Sequence, residues 1–108
     1  MALDESKFHA IADDTLEMLV TTIDDVLGDQ LDVDEQGGIL TIHLNNGGQF
    51  ILNKHAPLRQ LWLASPHSGA WHFDWAGDAW ISTRGEPRAL LDILAEDLEK
   101  ATGVRLAL

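Results

Sequence analysis

The first third of the chain carries apolar residues at three- and four-residue intervals: Phe8, Ile11, Ala12, Leu16, Leu19, Ile23 and Val26. At about 100° per residue that spacing puts them on one side of a helical cylinder and predicts a helix over residues 7–27. Asp4 or Ser6 stands where a cap is needed, and Gly28 where the helix ends. From residue 31 the apolar period shortens to two, the periodicity of a strand. Strands are predicted over 31–35, 39–44, 49–54, 59–64, 70–75 and 79–82. The first two connections are Gln36-Gly37-Gly38 and Asn45-Asn46-Gly47-Gly48, both turn formers that tolerate positive φ. A second helix is predicted over 88–101, with Leu90, Leu91, Leu94, Leu98 and Ala101 as its buried stripe, Pro87 in its first turn and Gly103 as its stop. Every strand connection is short, so neighbouring strands pair antiparallel. The expected fold is α+β, one domain over residues 1–108: a two-layer sandwich with two terminal helices packed on one face of a six-stranded antiparallel sheet. The other sheet face is left open.

Alternation assigns side chains to those faces. Leu61 and Leu63 alternate with Gln60, Trp62 and Ala64. Two leucines make the better core pair, which puts Trp62 and Gln60 on the open face. An exposed indole among polar neighbours is an interface anchor; the plainer reading is a tryptophan half covered by adjacent side chains. Asn53, beside Lys54, is placed to share that face, as are Thr41 and His43. Trp71, Phe73, Trp75 and Trp80 read as core aromatics rather than a platform for nucleic-acid bases.

Charge adds a second surface. The chain has 18 acids and 7 bases, a net charge of −11, and residues 1–35 hold eleven of the acids against a single base, Lys7. Asp13, Asp14, Glu17, Asp24 and Asp25 fall within an arc of roughly 120° on the polar side of the first helix. Asp29, Asp32, Asp34 and Glu35 continue the run. Like charges on neighbouring helical positions repel by a few tenths of a kcal/mol per pair. Either solubility or a cationic partner, a metal ion or a basic protein surface, accounts for keeping them. Carboxylates select hard cations such as Mg, Ca, Mn and iron, and an exposed helix face predicts weak, exchangeable binding. The same charge disfavours nucleic acid and anionic lipid. No cysteine is present, so thiolate chemistry is excluded. No 18-residue apolar run spans a membrane. Residues 1–7 show no signal or transit pattern, so the cytoplasm is the expected compartment. His9 lies four residues before Asp13, within reach of a metal there. The five histidines otherwise read as scattered surface groups, and no catalytic residue is assigned.

The stretch Asn53-Lys54-His55-Ala56-Pro57-Leu58-Arg59-Gln60-Leu61-Trp62-Leu63-Ala64-Ser65-Pro66-His67-Ser68-Gly69 resembles the central pattern of the frataxin family, Asn-Lys-Gln-x-Pro-x-x-Gln-Ile-Trp-Leu-Ser-Ser-Pro-x-Ser-Gly, with His55 where the pattern has Gln. Phe73-Asp74-Trp75 followed by Trp80 resembles the next block, and Gly38-Ile39-Leu40-Thr41 the second strand. Phe8-His9, Ala12-Asp13 and Asp24-Asp25 resemble the first helix of the bacterial branch, CyaY. The resemblance implies the same sandwich and a role as an iron-binding regulator or iron donor in iron-sulfur cluster assembly, docking on a cysteine desulfurase–scaffold complex. It implies weak surface iron (Fe2+/Fe3+) at Asp13, Glu17, Asp24, Asp25, Asp29, Asp32 and Asp34, with Asp14 beside them on the same helix face. Asn53, Lys54, Gln60 and Trp62 map to the partner contact. The expected protein is a bacterial cytoplasmic monomer that metal can drive to oligomerise, and it is not an enzyme. The alternatives are a ferroxidase and iron-storage protein, or an acidic interaction module without a metal role.

Overall fold

The structure, a computed structural model, describes residues 3–108; Met1 and Ala2, at the head of the stretch read for a leader, lie outside them. Helix α1 runs Glu5–Leu27. Asp4 caps it by accepting from the Lys7 backbone N–H at 2.7 Å, which places Ser6 inside the helix. The buried stripe is Phe8, Ala12, Leu16, Leu19, Ile23 and Leu27. It advances by fours with a single three, so Leu27 closes it. Val26, expected in the stripe, falls off its edge and is 52% exposed.

Six strands follow: β1 Leu31–Gln36, β2 Ile39–Leu44, β3 Gln49–His55, β4 Gln60–Ser65, β5 Gly69–Trp75 and β6 Trp80–Ser82. They form one antiparallel sheet in chain order, as the short connections require. One 3-10 turn, Ala56–Leu58, separates β3 from β4 and ends on Arg59 with φ 54°. Arg59 was expected to open β4, but this left-handed conformation cannot continue a strand.

Helix α2 is Leu90–Thr102, closed by Gly103 at φ 79°. It starts two residues later than expected. Arg88 donates its backbone N–H to Ser82 Oγ at 2.9 Å and its carbonyl accepts from the Ser82 N–H at 2.8 Å. Ala89 then bridges Ile81, so residues 88–89 extend the sheet at β6 before the helix begins. Pro87 lies before that bridge and not in the helix.

Leu40, Ile42, Phe50, Leu52, Leu61, Leu63, Trp71, Phe73 and Trp80 share a core with the stripes of both helices. Both helices therefore cover one face, and the expected two-layer sandwich is the observed fold. The aromatics expected in the core lie there, with Trp75 packed at its margin. The Trp80 indole donates to Thr15 Oγ1 at 3.0 Å, tying β6 to α1. No described helix is long and apolar enough to cross a membrane.

Candidate functional site: an acidic edge and an open sheet face

Asp13, Asp14, Glu17, Asp24 and Asp25 are all exposed on α1, and Asp29 is exposed just beyond it. The band continues around the edge strand rather than across one plane. In β1, Leu31 is buried and Val33 half-buried toward the helices, which turns Asp32 and Asp34 to the opposite face. There they stand across from His43 and Thr41. Glu35 turns back to the helix side and lines a groove of about 560 Å³ with Asp13, Glu17, Val20, Thr21, Gly37, Gly38 and Lys54. The carboxylates thus wrap the β1 edge from both sides of the sheet. Among the described residues no three His, Asp or Glu side chains converge to hold one metal ion.

Two features make this edge electrostatically unfavourable for folding. Asp24 and Asp25 occupy the last turn of α1, where unpaired carbonyls carry partial negative charge, and no basic residue offsets them. Among the described residues only Asp13 of the predicted metal set has an ion-pair partner, Lys54 Nζ at 2.6 Å. Lys54 Nζ also lies 3.2 Å from His9 Nδ1. The lysine stem passes close to Gly38, where an added Cβ would sit 2.7 Å from Lys54 Cε.

That contact corrects one expectation. Lys54 does not share the open face with Asn53, Gln60 and Trp62. Strand alternation sends it to the helix side, where it is 17% exposed and bound to Asp13.

On the open face Trp62 pairs with Asn53 of β3 and His72 of β5. Its ring is stacked between two imidazoles: His55 at 3.9 Å and 5° on one side, His72 at 4.0 Å and 9° on the other. The indole N–H donates to Gln60 Oε1 at 2.8 Å, and Gln60 Nε2 donates to Asp74 Oδ1 at 2.9 Å. Beside the stack lies a shallow hollow of about 240 Å³ between Ile51, Asn53, Trp62, Ala64, Ala70 and His72. Trp62 is on the predicted face and is half covered by its neighbours, as the plainer reading has it. Two of the five histidines are not scattered. His72 is legible from register once β4 and β5 pair through their short loop; His55 reaches the ring diagonally.

A buried polar group also escaped the sequence reading. Asp97, on α2, is 2% exposed. Its Oδ2 accepts from Ser65 Oγ at 2.7 Å and Ser68 Oγ at 2.5 Å. Ser68 Oγ in turn accepts from the Trp71 indole at 2.8 Å, and Arg84 stacks 3.6 Å over that ring. The carboxylate pins the β4–β5 loop to the second helix. Its signal was an acid three residues past Leu94 within the α2 apolar stripe.

Of the titratable groups, Glu96 is perturbed. A hydrogen bond from the Arg88 guanidinium, helped by Lys100, holds its carboxyl below the ordinary carboxylate range. It lies on α2, away from both surfaces.

The frataxin-like domain family matches residues 1–104. The chain is 36% identical to a mitochondrial frataxin homologue of Schizosaccharomyces pombe, over 92% of this chain and 66% of that protein. It is 40% identical to the mitochondrial frataxin of Arabidopsis thaliana, over 94% of this chain and 57% of that one. It thus spans somewhat under two thirds of those relatives. With the iron-sulfur cluster assembly protein CyaY of Tolumonas auensis it is 33% identical, over 98% and 99% of the two chains. Frataxin from Psychromonas ingrahamii superposes with a TM-score of 0.86 at 27% identity, covering 96% of each chain. A trimeric frataxin from the yeast Saccharomyces cerevisiae, complexed with ferrous iron, gives 0.77 at 34% identity, covering 96% of this chain and 90% of that one. With its α1–sheet–α2 sandwich superposing on both solved structures and the family model matching nearly its whole length, the chain belongs to the frataxin family.

Proposed function

We propose that this protein binds iron weakly along the β1 edge and docks through its open sheet face on the cysteine desulfurase–scaffold complex, regulating or supplying iron-sulfur cluster assembly in the bacterial cytoplasm. The observation that carries this reading is the adjacency of two surfaces. A band of carboxylates almost without counter-ions wraps the sheet edge, and next to it an open face presents an indole edge. Asp13, Asp14, Glu17, Asp24, Asp25, Asp29, Asp32 and Asp34 are the iron-binding positions in this reading. Spread and exposed, they suit hexa-aquo-type cations that keep part of their water and exchange quickly.

Asn53, Gln60 and Trp62 are the docking positions. Lys54 contributes indirectly, by holding Asp13 at the groove. A basic surface on the partner complements the acidic edge and speeds encounter more than it tightens the complex. The cluster-assembly name of the bacterial relative and the ferrous complex of the yeast relative support the two halves of the proposal. The role is one of binding and regulation, exercised by a monomer; the trimeric yeast relative makes iron-driven association the variant to check by sedimentation with and without Fe(II).

The test is desulfurase activity with and without this protein across a range of anaerobic Fe(II). Trp62→Ala is expected to abolish the effect on the enzyme while leaving calorimetric Fe(II) binding nearly intact. The Asp24→Asn, Asp25→Asn double variant is expected to weaken Fe(II) binding and shift the iron dependence. If both variants behave as the wild type, the assignment of the two surfaces is wrong.

A further inference from the structure

Where the β5–β6 turn meets the two helices lies a hollow of about 190 Å³. It shares no lining residue with the acidic groove or with the hollow on the open face. Trp75 and Trp80 line it together with Thr15 and Met18 of α1, Leu91 of α2 and Asp78 of the turn. Trp80 is 4% exposed and makes the floor, Trp75 is half-buried, and Met18 and Asp78 are exposed at the rim. The two indole centroids are 5.2 Å apart and their planes differ by 58°, so the rings meet at an angle rather than forming one flat platform.

The walls carry one electrostatic sign. Trp80 donates its ring N–H to Thr15 Oγ1 at 3.0 Å, and that hydroxyl donates on to the Ile11 carbonyl at 2.9 Å. The polar groups at the floor are thus already paired, and Asp78 is the charged residue that lines the hollow. Two more exposed acids flank it in the chain: Asp14 stands one helical turn before Met18, and Asp92 follows Leu91. Among the described residues no ion pair engages Asp14, Asp78 or Asp92. The neighbouring bases are turned elsewhere, Arg88 to Glu96 at 2.7 Å and Arg84 over the Trp71 ring. Indole faces carry negative potential and attract cations, and the carboxylates add to that field. An anion is repelled here, and an uncharged group gains contact area alone.

We infer that this hollow is a binding site for a small organic cation of the alkylammonium class. A rounded ammonium group can touch two rings set at an angle, whereas a flat guanidinium stacks on one. A hard metal ion is a poorer fit, because it needs several oxygen ligands and the lining offers a single carboxylate. The volume sets the size: it is below the roughly 300–1,000 Å³ of sites for drug-sized ligands, so it admits a head group with a short stem. The site is independent of the iron-binding and docking positions proposed above. A cation seated there touches α1, the β5–β6 turn and α2 at once, and stabilises their packing by mass action.

The probe is choline chloride, titrated into the intact protein against sodium chloride at constant ionic strength. The indole N–H resonances of the four tryptophans report separately, with Trp62 and Trp71 as references. Those of Trp75 and Trp80 should move and saturate, with a dissociation constant on the order of 1 mM for so small a ligand. The uncharged isostere 3,3-dimethyl-1-butanol should bind about 10-fold more weakly, having lost the attraction of both rings and carboxylate. Asp78→Asn, at an exposed position, should weaken choline about 5-fold. Trp75→Leu should remove the saturable shift of Trp80; if that variant does not fold, the isostere and Asp78→Asn decide. Shifts that never saturate or that all four indoles share overturn the site. Equal binding of the isostere, or unchanged choline affinity in Asp78→Asn, overturns its assignment to a cation.

Discussion

Asp97→Ala tests how the second helix holds the sheet in register. Two hydroxyl donors converge on one buried oxygen, at 2.7 Å from Ser65 and 2.5 Å from Ser68. A hydrogen bond to a carboxylate contributes about 1.5–3 kcal/mol, so the gross loss is about 3–6 kcal/mol. Removing the acid also removes the desolvation penalty of burying it, which offsets part of that loss. The residue of the effect is what happens to the hydroxyls. Ser65 Oγ still accepts from the backbone N–H groups of His67 and Ser68, and Ser68 Oγ still accepts from Trp71, but both O–H donors lose their partner. Ser65 is buried, whereas Ser68 is half-buried and reaches water. One costly orphan and one partly rescued orphan, with the clamp lost, give a net destabilisation of about 2–4 kcal/mol. That is a large share of the roughly 5–15 kcal/mol that holds a domain of this size together. Asp97→Asn, with its amide oxygen in the place of Oδ2, keeps an acceptor for both hydroxyls but loses the charge that strengthens those bonds, and should lose about half as much by the same scale. Urea unfolding followed by circular dichroism measures both, with the slope against urea checked for constancy. A loss under about 1 kcal/mol for Asp97→Ala, or equal losses for Ala and Asn, would refute the reasoning that hydroxyl satisfaction sets the energy.

Three further outcomes are expected. Asp24→Asn with Asp25→Asn should raise stability by about 0.5–1.5 kcal/mol in low-salt thermal melts, because two negative charges leave a helix C-terminus, and the gain should shrink in about 1 M salt; a stability loss contradicts this. Gly38→Ala should cost about 1–2 kcal/mol for a φ of 82° and push Lys54 off Asp13, whereas Gly37→Ala, with open space around it, should incur the backbone cost alone; equal melting temperatures for the two would show that the lysine contact is immaterial. Glu96→Gln should lower stability at neutral pH and converge with the wild type in acid. A carboxyl held low by Arg88 in the folded state stabilises above its unfolded pKa and loses that contribution as pH falls through the folded one, so a pH-independent difference in urea midpoints would count against the pair.

Much of this protein is written in local periodicity. The three-and-four spacing of α1, the two-residue period of the strands and the Asn-Gly and Gly-Gly turns each depend on residues close in the chain, and together they specify the antiparallel order and the face on which Trp62 lies. The acidic imbalance was equally plain from composition. Boundaries failed where a distant partner decided them: residues 88–89 left the predicted helix because β6 offered hydrogen bonds, and Arg59 left the predicted strand because the 3-10 turn needed a left-handed residue. The site divided in the same way. Which carboxylates are exposed followed from helical phase, but that Asp32 and Asp34 lie across the sheet from Asp13 and Glu17 required the pairing of β1 with α1. Lys54, adjacent to Asn53 in the chain, belongs to the other surface because its partner is 41 residues away. The stacking of His55 and His72 on one indole, and the burial of Asp97 beneath a serine loop, likewise exist only once β3, β4, β5 and α2 have been brought together. Periodicity records which side of an element is wet; contacts between elements depend on closing loops of tens of residues, and no local pattern carries that information.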